Sequence, residues 1–156
     1  MCLVRGCAPC EDTVTMTLAG IQSDFTLLDD WEDRYRYIIE LGRALPAMPL
    51  SLKTDSTKVR GCASQVWLHS RVHQSENGHG PRLSFEGDSD AHIVRGLVAI
   101  LLAIYNDMPA SEIIAHDSQA DFAALGLQDH LTPQRSNGLA SMVERVRSDA
   151  RAALGA

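Results

Sequence analysis

Cys62 has the sequence surroundings of a reactive thiol. It follows Gly61 and precedes the small residues at 63 and 64, so the backbone can turn tightly and the sulfur can be approached. Lys58 and Arg60 lie just upstream, and nearby positive charge lowers the pKa of a thiol from its ordinary value of about 8.5. The thiolate is the nucleophile that sulfur transfer needs. These residues alone are equally consistent with a small buried cysteine at the start of a strand.

The other three cysteines, Cys2, Cys7 and Cys10, lie together near the start of the chain. Their spacing is similar to a short metal-binding run, but no fourth ligand follows at a matching distance. A disulfide framework would spread its cysteines across the fold. We therefore expect a free thiol at Cys62, no metal bound by this chain, and a reducing, cytoplasmic location. Met16 precedes the first helical pattern, which suggests that the preceding residues come from an upstream start.

Length and composition indicate an ordinary globular protein. The chain has 156 residues, 45% of them hydrophobic and 22% charged, which is typical of one compact domain. Its net charge of -6 argues against a nucleic-acid partner. No apolar run approaches the roughly 20 residues that cross a membrane, and no secretory signal is evident. We expect residues 1–20 to form a disordered extension and residues 21–156 to form the domain.

Apolar periodicity predicts an α+β fold, a small antiparallel sheet packed against several helices. Two alternating stretches separated by a turn predict a hairpin. A polar segment, residues 53–60, lacks apolar anchors and is expected to be mobile. The predicted strands are residues 65–73 and 82–86; the predicted helical segments are residues 21–28, 31–45, 91–106, 111–115, 121–125 and 133–154.

Several polar residues are predicted to begin these helices. Asp30 and Thr132 precede helical patterns directly, and Asp88, Ser89 and Asp90 offer side-chain oxygens to the central helix. Ser111 is a further candidate cap, and Gly126 a helix stop.

Four short segments resemble the SufE/CsdE family of sulfur acceptors, in the order and at the spacing of that family. The resemblance runs from about residue 25 to residue 154. The segments are residues 61–67 (GCASQVW), residues 37–42 (YIIELG), residues 87–91 (GDSDA) with Ile93, Val94, Gly96 and Leu97, and residues 130–133 (HLTP) with Arg135, Gly138 and Leu139.

The resemblance implies a fold shared with IscU-type scaffolds and a carrier role for Cys62. The donor would be a SufS/CsdA-like cysteine desulfurase, which carries its own pyridoxal phosphate, so this chain needs no cofactor. The carrier would stimulate that enzyme and pass sulfur to a SufBCD-like scaffold for iron–sulfur cluster assembly. Asp88, Asp90 and Arg135 are implied to lie at the docking face, with His130 and Ser64 in possible supporting roles.

The position of Arg135 at the start of the last helix also predicts a partner for its charge on physical grounds. A cation in the first turn of a helix lies at the end that favours anions, so we expect it to face an acidic surface or the Cys62 thiolate.

Other hypotheses about the function stay open at this point. They are an iron–sulfur scaffold-like protein, a structural adaptor, a carrier that feeds another sulfur pathway, and a Cys–His hydrolase or oxidoreductase. A scaffold needs several soft ligands at one place, and a hydrolase needs a base beside Cys62.

Overall fold

The order of elements along the chain is helices, then a hairpin, then helices. The structure, a computed structural model, describes residues 17–61, 64–74, 80–106 and 108–155, apart from the Gln128 side chain. Cys62, Ala63 and the three N-terminal cysteines lie outside the described residues, as does most of the predicted turn, residues 75–79. The helices are α1 (Leu18–Thr26), α2 (Trp31–Ala44), α3 (His92–Tyr105), α4 (Ala110–Ala115), α5 (Ser118–Ala124) and α6 (Pro133–Gly155), with 3-10 turns at Leu50–Leu52 and Leu127–Asp129; the strands are β1 (Val66–His73), β2 (Arg82–Ser89) and β3 (Met108–Pro109).

The strands form an antiparallel sheet in the order β1-β2-β3. In the β1–β2 hairpin, Val66 is opposite Ser89 and His73 is opposite Arg82. The α+β prediction is therefore confirmed. Strand β2 runs three residues beyond its predicted end, because Gly87 lies directly beneath α3. A Cβ built at Gly87 would be 2.5 Å from Val98 Cγ1.

Helix α3 lies at the centre of the core, as its nearly continuous apolar sequence predicts. Leu97, Ile100 and Leu101 are almost fully buried, and each such side chain contributes about 1.5–3 kcal/mol by leaving water. Helix α2 crosses α3 very closely, since a Cβ built at Gly96 would be 2.1 Å from the carbonyl oxygen of Ile38. This close crossing fixes the position of α3 against α2.

The helix ends confirm some predicted caps and contradict others. The Asp30 carboxylate accepts from the Glu32 amide at 3.1 Å, and the Thr132 hydroxyl accepts from the Arg135 amide at 3.2 Å, as predicted. Gly126 has a φ of +72° and follows α5.

The predicted caps of α3 and α4 are wrong. Helix α3 begins after Ala91, and no side chain caps it. Asp88 and Ser89 cannot cap the helix because they still belong to β2. Pro109 rather than Ser111 precedes α4. Asp117, which was not predicted, caps α5 by accepting from the Gln119 amide.

Helix α1 begins inside the predicted extension. The Thr17 hydroxyl accepts from the Gly20 amide at 3.1 Å, and Ile21 and Phe25 of α1 are buried in the core. Residues 18–20 are therefore helical, and residues 1–16 lie outside the described residues. In the part of the chain that is described, no helix combines the length and apolarity needed to span a bilayer.

Candidate functional site

The chain on either side of residues 62–63 is held as a narrow pair of antiparallel arms. We call residues 56–59 the upstream arm and residues 64–68 the downstream arm. The Val59 amide donates to the Val66 carbonyl at 2.8 Å, and the Leu68 amide donates to the Thr57 carbonyl at 2.8 Å. The Val59 side chain is only 3% exposed, so the upstream arm is fixed by apolar burial as well as by hydrogen bonds.

These contacts contradict the expectation that residues 53–60 lack anchors, and the mobility expected of this segment stays a prediction. Thr57 is buried, and its hydroxyl donates to the Leu52 carbonyl at 2.5 Å. The ammonium group of Lys53 lies 4.9 Å from the centre of the Trp67 ring. These anchors could not be recognised from the sequence, because Thr57 and Val59 are single buried residues within a polar stretch.

Gly61 turns the chain sharply next to α6. Its φ is +90°, a conformation that residues with a side chain rarely adopt. A Cβ at this position would lie 2.6 Å from Ser141 Oγ. Both observations explain why glycine precedes Cys62, and they confirm the tight bend expected there.

A partly open cavity of about 210 Å³ lies beside the arms. Ser64 reaches it from the downstream arm, and Arg135 reaches it from the first turn of α6. Its wall combines apolar side chains with a few polar groups, as is typical of binding pockets. The lining residues are Ser64, Ala91, Val94, Leu97, Thr132, Gln134, Arg135, Gly138 and Met142.

Arg135 separates this cavity from a shallower groove. The groove has a volume of about 480 Å³ and shares Ala91 and Arg135 with the cavity. Tyr35, Ile39 and Ile93 supply most of its remaining surface. Among the residues that the structure describes, no carboxylate pairs with the Arg135 guanidinium. A half-buried cation therefore stands between an apolar groove and the cavity.

Asp88 lies at the centre of an ion-pair network. It is 4% exposed, with its carboxylate 3.2 Å from Lys53 Nζ and 3.4 Å from Arg95 Nε. Burial alone would raise its pKa, but the Ser89 amide, Lys53 and Arg95 outweigh burial and hold the pKa of Asp88 below its ordinary value of 3.8. The Met48 amide also donates to this carboxylate. Asp88 is therefore directed inward, where it binds residues 48–53 to the sheet, and direct contact of its carboxylate with a partner remains a prediction without structural support.

Asp90 holds the downstream arm. Its carboxylate accepts from the Gln65 amide at 3.1 Å, while its own amide donates to the Gln65 carbonyl at 3.2 Å. Asp90 is also exposed, so a role in docking stays a prediction beside this positioning role.

His130 and Trp31 form a stacked pair. Their ring centroids are 3.8 Å apart, and the His130 carbonyl accepts from the Tyr35 hydroxyl. The described contacts of the His130 ring are with α2 rather than with the cavity wall. They favour a structural role in positioning the chain just before α6, and its supporting role in chemistry stays a prediction.

Two residues of α6 belong to this site but were not identified as site residues from the sequence. Ser141 packs against Gly61, and Arg145 binds the upstream arm.

Within the described ranges, no group of three or more His, Cys, Asp or Glu side chains is close enough to hold a metal ion.

Comparison with known proteins identifies the family. Residues 19–150 match the SufE family, described as the Fe-S metabolism associated domain. The chain belongs to the SufE family. It is 58% identical to an uncharacterized SufE-like protein of Rhizobium etli over 135 residues, which are 86% of this chain and 90% of that protein. It is 54% identical to an uncharacterized SufE-like protein of Rhizobium meliloti, over 90% of this chain and 99% of that one.

A solved structure has the same fold. The solution structure of a hypothetical protein from Thermus thermophilus superposes with a TM-score of 0.66, at 22% identity, over 89% of this chain and 96% of that one. This likeness concerns the fold alone. Membership of the SufE family places the chain in iron–sulfur metabolism.

Proposed function

We propose that this SufE-family chain is a sulfur carrier, which accepts sulfur on Cys62 from the persulfide of a pyridoxal-phosphate-dependent cysteine desulfurase. The observation that carries the proposal is that Gly61 and Ser64, the described neighbours of residues 62–63, both lie against the first half of α6. Ser64 lines the cavity there together with Arg135, whose guanidinium pairs with no carboxylate in the described part of the chain. Residues 62–63 are therefore joined on both sides to described residues that contact this part of α6.

The transfer is a thiol–persulfide exchange. The Cys62 thiolate attacks the outer sulfur of the desulfurase persulfide, and a new sulfur–sulfur bond forms as the old one breaks. The desulfurase cysteine leaves as a thiolate, and Cys62 carries the persulfide. One sulfur–sulfur bond replaces another, so no external oxidant or reductant is needed.

Arg135 would favour the anionic form of the reacting sulfur. A guanidinium beside a thiolate or a persulfide anion stabilises the negative charge and lowers the pKa of that group. The apolar part of the cavity would then exclude competing water-borne thiols. We assign the adjacent groove, with Tyr35 and Ile93, to the docking partner, because it lies beside the cavity and shares Ala91 and Arg135 with it.

The sulfur would pass next to an iron–sulfur scaffold, and the chain would stimulate the desulfurase by removing its persulfide. We assign this cycle to the cytoplasm, where thiols stay reduced.

The test is to incubate the protein with a cysteine desulfurase and cysteine and to measure its intact mass. We expect a gain of one sulfur atom in the wild-type protein and none in Cys62→Ser. A matched variant in which Cys2, Cys7 and Cys10 are replaced by serine should still gain the sulfur. Sulfur on Cys62→Ser, or loss of sulfur in the triple variant, would assign the carrier role to another cysteine.

A second assay addresses the recipient. The persulfide-loaded protein is mixed with an iron–sulfur scaffold and ferrous iron, and cluster absorbance is followed. Absence of cluster with rapid loss of the sulfur to another acceptor would favour a different sulfur pathway.

A further inference from the structure

We propose that Arg145, together with Asp149, is a positioning residue for Cys62 and restrains the upstream arm of its loop. The proposal rests on the proposed function of Cys62, but its contacts involve only described residues. It gives α6 a second task beside lining the cavity.

The Arg145 guanidinium binds two carbonyls of the upstream arm. One terminal nitrogen donates to the Ser56 carbonyl at 2.6 Å, and the other donates to the Lys58 carbonyl at 3.3 Å. The planar fork of arginine suits this two-point contact, whereas a lysine ammonium would reach it as a single charge.

Asp149 orients the guanidinium from the other side. The Arg145 Nε lies 3.2 and 3.4 Å from the two Asp149 carboxylate oxygens, one helical turn further along α6. The two side chains are 24% and 20% exposed, so this pair is better shielded than the other ion pairs described on the surface of α2 and α6. Its partial burial makes a measurable contribution reasonable, since fully exposed pairs contribute little.

The upstream arm is therefore held by hydrogen bonds on both of its edges, from α6 on one and from β1 on the other. The Ser56 and Lys58 carbonyls accept from Arg145 of α6, whereas the Thr57 carbonyl accepts from the Leu68 amide of β1. If Arg145 is removed, the arm keeps its bonds to β1 and the buried side chains of Thr57 and Val59 but loses both bonds to α6, so residues 56–59 should open more readily.

Native-state amide hydrogen exchange tests this directly. In Arg145→Ala we expect the amides of Val59 and Leu68 to exchange about tenfold faster, because their pairing loses its support from α6. Amides of α3 should keep their rates, since general destabilisation would speed both. Arg145→Lys should recover only part of the protection, and Arg151→Ala, which removes the exposed ion pair with Glu144 on the same helix, should change nothing.

A second measurement links the arm to the thiol. With Cys2, Cys7 and Cys10 replaced by serine, alkylation of Cys62 by iodoacetamide should be several-fold faster in Arg145→Ala than in the parent protein or in Arg151→Ala. Equal exchange and alkylation rates in Arg145→Ala and Arg151→Ala would overturn the proposal. Neither measurement requires sulfur transfer, so failure of Cys62 to accept sulfur would refute the carrier role and leave this result intact.

Discussion

Replacing Arg135 with glutamate should stabilise the fold and impair sulfur acceptance. Pro133 is the first residue of α6, and the Thr132 hydroxyl already accepts from the amide of residue 135. A glutamate three residues after a capping threonine completes a capping box, and it replaces a cation with an anion at the positive end of the helix. Together these changes should raise the free energy of unfolding by about 0.5–1.5 kcal/mol. For a chain of this size, that corresponds to a rise in melting temperature of about 1–6 °C.

The same substitution reverses the charge on the cavity wall. A carboxylate there should raise the pKa of a neighbouring thiol and slow its reaction with the desulfurase persulfide by about tenfold or more. The assay combines urea unfolding with the initial rate of sulfur gain by intact mass. Arg135→Gln, which removes the charge without completing the capping box, should have nearly normal stability and an intermediate rate. Loss of stability in Arg135→Glu, or an unchanged rate of sulfur gain in both variants, would refute the reasoning.

Three further substitutions test other parts of the site and core. Asp88→Asn should lower the free energy of unfolding by about 2–4 kcal/mol at neutral pH, because Lys53 and Arg95 lose their buried partner. Since the folded pKa of Asp88 lies below 3.8, its contribution is present above that pH and disappears as the pH falls through the folded value, so urea titrations should show the variant converging with the wild-type protein in acid. Gly61→Ala should cost about 1–3 kcal/mol, from its positive φ and its overlap with Ser141; adding Ser141→Ala should restore part of that loss, whereas strictly additive effects would contradict the contact. Gly96→Ala should prevent α2 and α3 from approaching and abolish cooperative thermal unfolding, and a normal transition measured by circular dichroism would contradict the close crossing.

The main helices could be predicted because local and global signals agree in them. Helices α2, α3 and α6 combine a 3.6-residue apolar period with clear boundaries, and each begins and ends within one or two residues of its prediction. The end of β2 could not be predicted, because residues 87–89, followed by Asp90, have a sequence typical of a turn. There, pairing with β1 and contact with α3 override local preference.

Part of the candidate site could likewise be predicted from the sequence, and part of it could not. The resemblance brought Ser64 and Arg135 forward, and the structure places both on one cavity wall. Asp88 could not be recognised as a buried ion-pair centre, since its partners lie far from it in sequence or one turn into the next helix. Arg145 was equally hidden, because it binds main-chain carbonyls, which leave no mark on the residue types of the arm.

The grip of α6 on the upstream arm also has a consequence for synthesis of the protein. The arginine that completes it follows its two carbonyl partners by 87 and 89 residues. A ribosome must therefore finish nearly the whole polypeptide before this anchor can form, because domains fold as their segments emerge. Until then Cys62 lies outside the exit tunnel in a chain whose upstream arm has no bond to the last helix, and we expect newly made chains to be the population most easily modified by oxidants or alkylating agents.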